Sequence, residues 1–381
     1  MKLLSLAVRR MFASLDWPLL ALLVVMALVG MATMHSAVGD ADPRFSDQFR
    51  NFIIAFVVMW AVAVLRPRVI LKCAPYVYVV GIALLVAVVL FGVTSKGATR
   101  WLNIGVARIQ PSEIMKIAVP LMLAWYFERR QSVNRIRVLD FFVAALLLLV
   151  PAALIIDQPD LGTALLVLAS GFCVMYFGGL SFKLLIPVVL VLGVGLGTLM
   201  TYEDQICQPD VNWVVLHEYQ KNRVCVLLNP GMDPLGKGFH TIQSMIAVGS
   251  GGVYGKGYMQ GTQSHLDFIP ERMTDFIFAV FAEEFGFYGG VALLALYALL
   301  VLRGLSITVR APTQFGRLMG GAMSMMMFVY VFVNIGMVTG ILPVVGVPLP
   351  FMSYGGTALI TLGVACGLLM SIGSHQPQPD S

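Results

Sequence analysis

Long apolar runs separated by short polar stretches dominate the chain. A helix that crosses a bilayer needs roughly 17–25 mostly apolar residues. Runs of this kind predict ten spans, at approximately 15–37, 51–66, 75–94, 112–128, 139–157, 161–178, 182–202, 274–302, 316–338 and 354–373. The pattern therefore predicts an all-α, polytopic integral membrane protein, which we treat as a single transmembrane domain over 1–381.

Three of the polar stretches between these runs are unusually long: 95–112, 203–273 and 339–353. The longest, 203–273, separates the seventh and eighth spans. Loops longer than about 12–15 residues in compact proteins are usually functional or disordered. These stretches contain Trp, Tyr, Gly and Pro rather than low-complexity sequence, so we expect them to carry function.

Composition supports a membrane protein, since 59% of the 381 residues are hydrophobic and 12% are charged. Soluble domains are about 45–50% apolar and about 25% charged. The net charge of +5 does not indicate a nucleic-acid partner, because the basic residues lie in short loops and form no single soluble face.

The distribution of basic residues predicts the orientation. Cytoplasmic loops of membrane proteins are enriched in Lys and Arg. With the N-terminus inside, the inside segments contain few acids and collect Lys2, Arg9, Arg10, Arg66, Arg68, Lys72, Arg129, Arg130, Arg135, Arg137, Lys183, Arg303, Arg310 and Arg317. Both termini are therefore expected in the cytoplasm, and the three long stretches, including loop 203–273, are expected on the extracytoplasmic side.

Two of the five cysteines, Cys207 and Cys225, fall in the long loop. In an oxidising compartment they could form a disulfide. The alternative is two free thiols, or two residues too far apart to bridge. No cysteine or histidine spacing typical of a metal site occurs.

The stretch 95–118 carries charges beside a predicted span. Glu113 and Lys116 are three residues apart and share a helix face. Charges at membrane depth are costly and usually face a cavity or a partner. Arg100 and Arg108 add positive charge at the same surface, and the group as a whole could bind an anionic phosphate. Alternatively, Glu113 and Lys116 only pair with each other or with other buried charges.

A short turn, 157–163, joins two predicted spans. Asp160 can cap the helix that follows it. A role in binding a ligand is equally compatible with its position.

The richest stretch is 229–286. Its glycine run 249–257, which contains Lys256, would let the backbone approach a ligand closely. Further on, Asp275 lies where a spanning helix begins, and Glu283 and Glu284 follow two turns deeper. At about 100° per residue, we expect one glutamate to approach the same cavity as Asp275 and the other to pair elsewhere, for example with Lys116. Asp275 itself could be only a helix cap.

The last segment with candidate chemistry, 334–357, is rich in Gly and Pro at membrane depth. Irregular backbone there is tolerated only where it lines a cavity or is buried in protein. Ser353 and Tyr354 supply hydroxyl groups.

At these stretches the chain resembles the SEDS family, the shape, elongation, division and sporulation proteins. The segments that carry the resemblance most strongly are 110–116 (QPSEIMK) and 342–356 (LPVVGVPLPFMSYGG). Segments 16–20, 233–238, 261–264 and 268–272 favour the elongation branch over the division branch. Two positions depart from the family pattern: Met273 stands where His is frequent, and Thr357 where Ser is frequent.

The resemblance implies ten spans and a peptidoglycan glycosyltransferase that polymerises lipid II with release of undecaprenyl diphosphate. It implies that Asp275 is the essential carboxylate, and we interpret Asp275 as a general base. Candidate substrate-binding residues are Arg100, Trp101, Arg108, Glu113, Lys116, Lys256, Glu283 and Ser353. A divalent cation, Mg²⁺ or Mn²⁺, is a candidate cofactor.

The expected location is the bacterial cytoplasmic membrane, with the active site on the extracytoplasmic side. The resemblance also implies a class B penicillin-binding protein and other elongation-complex membrane proteins as partners. Two rival functions remain open: a lipid II flippase, which needs no catalytic base, and a membrane scaffold for a transpeptidase.

Overall fold

The computed structural model is an α-helical bundle with one small sheet. It describes residues 14–38, 42–95, 98–103, 105, 108–133, 136–181, 186, 190, 193–195, 197–198, 201–202, 205, 207–208, 211, 221, 224–226, 228, 237–266, 268–269 and 271–375. The helices are α1 (Trp17–Val38), α2 (Pro43–Val64), α3 (Pro67–Phe91), α4 (Pro111–Val133), α5 (Val138–Asp157), α6 (Leu161–Phe177), α7 (Lys237–Ser250), α8 (Thr262–His265), α9 (Ile277–Val309), α10 (Gln314–Val338) and α11 (Gly356–Ser374). The strands are β1 (Val93–Ser95), β2 (Ala98–Asn103) and β3 (Arg108–Ile109).

The helices confirm the predicted fold class. Nine of the ten predicted spans coincide with α1–α6 and α9–α11, and the remaining one, 182–202, lies largely outside the described residues. Within the described residues, seven helices are long and apolar enough to cross a bilayer, and α6 is a shorter apolar helix. The predicted long loop 203–273 contains two helices, α7 and α8.

The outer faces of the bundle are apolar, as contact with lipid requires. Large apolar side chains stay exposed there, among them Leu90, Phe142, Leu146 and Leu302. In water such a surface would be an aggregation hazard, whereas lipid tails are equally apolar. Exposure of apolar rather than polar side chains therefore agrees with a multi-pass membrane protein.

Small residues allow the helices of the interior to approach closely. A Cβ built on Gly363 of α11 would lie 2.6 Å from the carbonyl oxygen of Ala55 in α2, and one on Gly367 would lie 2.5 Å from that of Met59. Close backbone approach through small residues is the usual way that helices pack in a membrane. α10 lies in the interior, where Met319, Met323 and Met326 are buried among its neighbours.

The irregular segments gather at one end of the bundle. β1, β2 and β3 form an antiparallel sheet between α3 and α4, and the turn 158–160 precedes α6. The turns 271–276 and the segment 339–355 lead into α9 and α11. At the opposite end, Arg303 binds Asp16 through two hydrogen bonds of 3.0 and 2.6 Å. We call the end with the sheet the site end.

Helix α9 is interrupted at Gly286, whose φ of 64° and ψ of −160° are not helical. The break frees backbone groups that a continuous helix would satisfy internally, and in a membrane such groups need partners. Residues 251–257, here called the glycine strap, supply them. The bonds run from Lys256 N to Glu283 O (3.0 Å), Gly257 N to Glu284 O (3.0 Å), Phe287 N to Gly252 O (2.9 Å) and Tyr288 N to Val253 O (3.2 Å).

This exchange of hydrogen bonds requires glycine at the contact. A Cβ on Gly255 would lie 2.1 Å from the carbonyl oxygen of Glu284, and Gly255 has φ +80°. A Cβ on Gly286 would lie 2.3 Å from the nitrogen of Gly255. The glycine run predicted from sequence does allow close backbone approach, but the partner is α9 rather than a ligand.

Replacing Gly255 by Ala is expected to destabilise the protein. Non-glycine residues at such φ values cost about 1–3 kcal/mol in backbone strain alone, and the clash with Glu284 adds to this. Thermal unfolding of the purified protein in detergent should show a lower midpoint. Gly249→Ala is the matched control, because Gly249 lies in α7 and has no atom within 4 Å of a built Cβ. Equal midpoints for the two variants would contradict the role assigned to the strap.

Candidate active site

A cavity of about 650 Å³ opens at the site end of the bundle. Its walls come from β2 and β3, the first turns of α4, α6 and α11, the turns before α9, and the segment 345–348. Of the nine residues predicted to be catalytic or substrate-binding, six line it: Arg100, Trp101, Arg108, Glu113, Lys116 and Asp275. The structure thus brings together residues that are as far apart in sequence as 100 and 275.

Asp275 lies in the turn that precedes α9, not within the helix. The N-cap position is occupied by Phe276, and α9 has no side-chain cap hydrogen bond. An aspartate that only caps the helix would occupy that position and accept a hydrogen bond from the first turn. The geometry therefore does not support the interpretation of Asp275 as a helix cap.

The backbone on both sides of the Asp275 side chain is held by buried polar groups. The Ser353 hydroxyl donates to the carbonyl oxygen of Thr274 (2.5 Å) and accepts from the amide of Leu349 (2.7 Å). The amide of Asn334 donates to the carbonyl oxygen of Asp275 itself (2.9 Å). Ser353 is not among the cavity-lining residues, so the structure gives it a role in bracing the Asp275 turn.

Arg100 forms the part of the cavity wall next to the turn before α6. Its Nε donates to the carbonyl oxygen of Gln158 (3.3 Å), an Nη donates to that of Pro159, and the other Nη lies 3.8 Å from a carboxylate oxygen of Asp160. The side chain keeps 27% of its surface exposed. The guanidinium is therefore fixed in place while still facing the cavity.

Asp160 takes one of the two roles that the sequence left open, that of a helix cap. It caps α6 by accepting from the amide of Thr163 (3.3 Å). It also accepts from Gln110 Nε2 (2.8 Å) and Ser112 Oγ (3.0 Å), and it lines the cavity. Its carboxylate thus links the start of α4 to the start of α6 by hydrogen bonds. The predicted helix cap is confirmed, and contact with a ligand stays a prediction.

Lys116 and Glu113 form a buried pair at the cavity. The Lys116 side chain is 1% exposed, and its Nζ lies 2.5 Å from Glu113 Oε1 and 2.6 Å from the hydroxyl of Tyr330. Glu113 Oε2 is buried with no hydrogen-bond partner within the described part of the chain. The pair thus has the structural role that the sequence allowed, and both residues also line the cavity.

Lys256 and Glu283 do not line the cavity. Glu283 Oε1 accepts from Lys256 Nζ (2.6 Å), from the amide of Thr262 (2.8 Å) and from that of Gln263 (3.0 Å). Glu284 instead accepts a hydrogen bond from Ser36. The expectation that one glutamate approaches the cavity and the other pairs with Lys116 is wrong, because Asp275 precedes the helix and the regular 100° step does not extend back to it.

Sequence reasoning did not identify Asn334 as part of the site. Asn334 is fully buried in α10, surrounded in sequence by apolar residues. A lone amide at membrane depth usually has a specific partner, and that signal could have singled it out. Glu271, Thr274 and Thr357 also line the cavity, as does Tyr354, whose hydroxyl group was noted from the sequence.

The long loop contains the predicted pair of cysteines. Cys207 and Cys225 form a disulfide in the structure, with their Cα atoms 5.7 Å apart. Cys73, Cys173 and Cys366 are free thiols.

The described residues include no group of three or more His, Cys, Asp and Glu side chains arranged to hold a metal ion. Mg²⁺ sites often use only one or two carboxylates together with substrate phosphates. Among the acids of the cavity, Glu113 and Asp160 lie against basic groups. Glu271 and Asp275 are the other two carboxylates that line the cavity.

Comparison with known proteins agrees with this geometry. The chain is 50% identical over 359 residues to the peptidoglycan glycosyltransferase MrdB of Escherichia coli K12, covering 94% of this chain and 92% of that protein. A solved chain from a peptidoglycan synthase complex superposes with a TM-score of 0.78 at 30% identity, covering 95% of this chain and 99% of that one. The rod shape determining protein RodA of Thermus thermophilus superposes with a TM-score of 0.70 at 27% identity, covering 96% and 98%.

The model of the FtsW/RodA/SpoVE cell cycle proteins matches residues 9–378, nearly the whole sequence. This family is the one indicated by the segments 110–116 and 342–356, which contribute Gln110, Glu113, Lys116 and the segment 345–348 to the cavity. The chain belongs to the FtsW/RodA/SpoVE family, the SEDS family of the sequence analysis.

Proposed function

We infer that this chain is a peptidoglycan glycosyltransferase that polymerises lipid II into glycan strands during cell elongation. The observation that carries the inference is the cavity, in which basic groups and a carboxylate meet at one end of a membrane bundle. A lipid-linked sugar could react there while its tail stays in the bilayer. Relatives that match over most of the chain are named peptidoglycan glycosyltransferases.

In the reaction, the 4-hydroxyl of a GlcNAc attacks C1 of a MurNAc. The new C1–O bond forms as the bond from C1 to the diphosphate oxygen breaks, and one displacement inverts the anomeric centre from α to β. The hydroxyl proton must pass to a base, a step that typically contributes about 10²–10⁴-fold to the rate. We assign this role to Asp275, because it lines the cavity and its backbone is fixed by Asn334 and Ser353.

The departing undecaprenyl diphosphate needs compensating positive charge. Arg100, Arg108 and Lys116 line the cavity on the wall built from β2, β3 and α4. Groups fixed before the reaction stabilise developing charge without reorganisation, and Arg100 is held in this way by the turn at 158–160. We assign the diphosphate to this wall and the acceptor sugar to the side of Asp275, with Trp101 beside the basic groups.

A divalent cation, Mg²⁺ or Mn²⁺, remains part of the proposal. When bound, it would supply further positive charge to the diphosphate. Glu271, which lines the same cavity, would contribute a carboxylate ligand from the protein side.

We place the cavity on the extracytoplasmic face and both termini in the cytoplasm. Basic residues are concentrated at the end opposite the cavity, and the positive-inside rule assigns such an end to the cytoplasm. That end carries Arg66, Arg68, Arg129, Arg130, Arg303, Arg310 and Arg317. The protein would then sit in the bacterial cytoplasmic membrane and polymerise on its outer side.

We further propose a class B penicillin-binding protein as a partner, with other membrane proteins of the elongation complex. The support is the similarity to a chain from a complex described as coordinating polymerization and crosslinking. Crosslinking of glycan strands requires a transpeptidase.

The test is polymerisation of fluorescent lipid II by the purified protein, with and without the penicillin-binding protein. We expect glycan strands in at least the paired reaction, detected by gel electrophoresis and removed by a muramidase. Movement of lipid II across proteoliposome membranes without polymer, under both conditions, would favour a flippase. Absence of both activities, with the partner bound and active, would favour a scaffold.

A further inference from the structure

Asn334 joins two irregular backbone segments at the edge of the cavity. Its Nδ2 donates to the carbonyl oxygen of Asp275 (2.9 Å) and to that of Val347 (2.7 Å). The residue is fully buried within α10. Both protons of one amide group are thus used to hold together two segments that are 72 positions apart in sequence.

These two carbonyl groups lie outside the regular helices. Asp275 is in the turn before α9, and Val347 is in the irregular segment before α11. A buried carbonyl without a donor is destabilising, so each segment is stabilised in the position where Asn334 can reach it. The amide therefore sets the distance between the two segments.

The two hydrogen bonds of Asn334 also place the Asp275 carboxylate next to Gly346. A Cβ built on Gly346 would lie 3.4 Å from Asp275 Oδ2, and Gly346 has φ +76°. Gly346 directly precedes Val347, which Asn334 binds. The amide consequently fixes the residue that carries the carboxylate relative to the part of the cavity wall that the carboxylate faces.

We propose that Asn334 is a positioning residue for the glycosyl transfer reaction, acting through Asp275 by clamping its carbonyl to that of Val347. The proposal rests on the proposed function, in which Asp275 is the base. A shift of about 1 Å in a reacting group can cost about 10²-fold in rate. Loss of the clamp should therefore lower the turnover number more than it lowers the affinity for lipid II.

Two substitutions separate the hydrogen bonds from the volume of the side chain. Asn334→Leu keeps the number and branching of the side-chain heavy atoms and loses both donors, whereas Asn334→Ala loses the donors and also leaves a cavity. If the donors matter, both variants should lose about 10–100-fold in kcat, within the range known for misplaced groups. Their dissociation constants for lipid II, measured in detergent with the full-length protein, should stay within about threefold of the parent, a change of less than 1 kcal/mol.

Ser324→Ala is the matched control on the same helix. Ser324 is buried in α10, and its hydroxyl donates to the carbonyl oxygen of Gly320 within that helix. This variant also removes a buried hydrogen bond, but far from the cavity, and its kcat should stay near the parental value. Thermal midpoints of all variants show whether a loss of rate follows a loss of stability.

Several outcomes would overturn the proposal. They are a parental kcat in both Asn334 variants, a loss confined to Asn334→Ala, and a loss of lipid II binding that accounts for the whole loss of rate. Asp275→Asn, assayed in parallel, separates this test from that of the proposed function. If Asp275→Asn is active, the assignment of the base fails; if it is inactive while both Asn334 variants turn over normally, only the clamp fails.

Discussion

Replacing Asp275 by Asn is expected to lower the rate of lipid II polymerisation by about 10²–10⁴-fold, the usual contribution of general base catalysis. Asn has nearly the same shape and still accepts hydrogen bonds, but it cannot take a proton from the acceptor hydroxyl at neutral pH. The backbone contacts of Asn334 and Ser353 with this turn do not involve the carboxylate. The variant should therefore fold and reach the membrane.

The measurement is glycan synthesis by purified variant and parent at equal concentration, with lipid II binding recorded alongside. Asp140→Asn is a suitable control, because Asp140 is a buried carboxylate in the capping box of α5, at the opposite end of the bundle. Asp140 is the N3 residue, and its Oδ2 accepts from the backbone amide of Arg137 (2.8 Å), a bond that an Asn oxygen can also accept. The ion pair with the exposed Arg130 contributes little, so this variant should polymerise normally. Near-parental synthesis by Asp275→Asn would move the assignment of the base to Glu113, which lines the same cavity.

The spans were predictable from sequence because lipid selects for one simple property. A segment that crosses the bilayer must be apolar and must satisfy its own backbone, so length and hydropathy suffice. Helices α1–α3, α5 and α9–α11 follow this rule. Helix α6 is shorter, and α4 carries more charge, beginning with Glu113 and Lys116. Charged residues within the spans also indicated the cavity. A charge that faces lipid is costly, so such residues usually face a cavity or a partner.

The contacts around the glycine strap could not be predicted in the same way. Helical periodicity assumes an unbroken helix, whereas α9 is interrupted at Gly286 and starts only after Asp275. Glu283 therefore faces Lys256 and the start of α8 instead of the cavity. A glycine run shows that something approaches the backbone, but its composition does not identify the partner.

Asn334 illustrates a second limit of sequence reasoning. Its burial in an apolar helix indicates that the amide has a partner, but both partners are backbone carbonyls. Backbone groups are present at every position and leave no signature in the sequence. Only the fold shows which two segments the amide joins.

Replacing Lys116 by Met is expected to have the second large effect, and it should act first on stability. Lys116 and Glu113 form a buried ion pair with an Nζ–Oε1 distance of 2.5 Å. Removing one partner of such a pair typically costs about 3–5 kcal/mol, because the remaining charge is buried without compensation. The single variant should show a strongly lowered thermal midpoint, a reduced membrane level and little polymerisation.

The double variant Glu113→Gln/Lys116→Met separates folding from chemistry. Replacing both members of a buried ion pair by neutral groups is often tolerated, since no charge is left alone. The thermal midpoint should therefore recover relative to Lys116→Met. If the Lys116 charge acts on the diphosphate, as its place in the cavity wall suggests, polymerisation should stay low in the recovered protein. Parental polymerisation by a folded double variant would instead mean that the pair only holds α4 against α10 through Tyr330, and the diphosphate would then depend on Arg100 and Arg108.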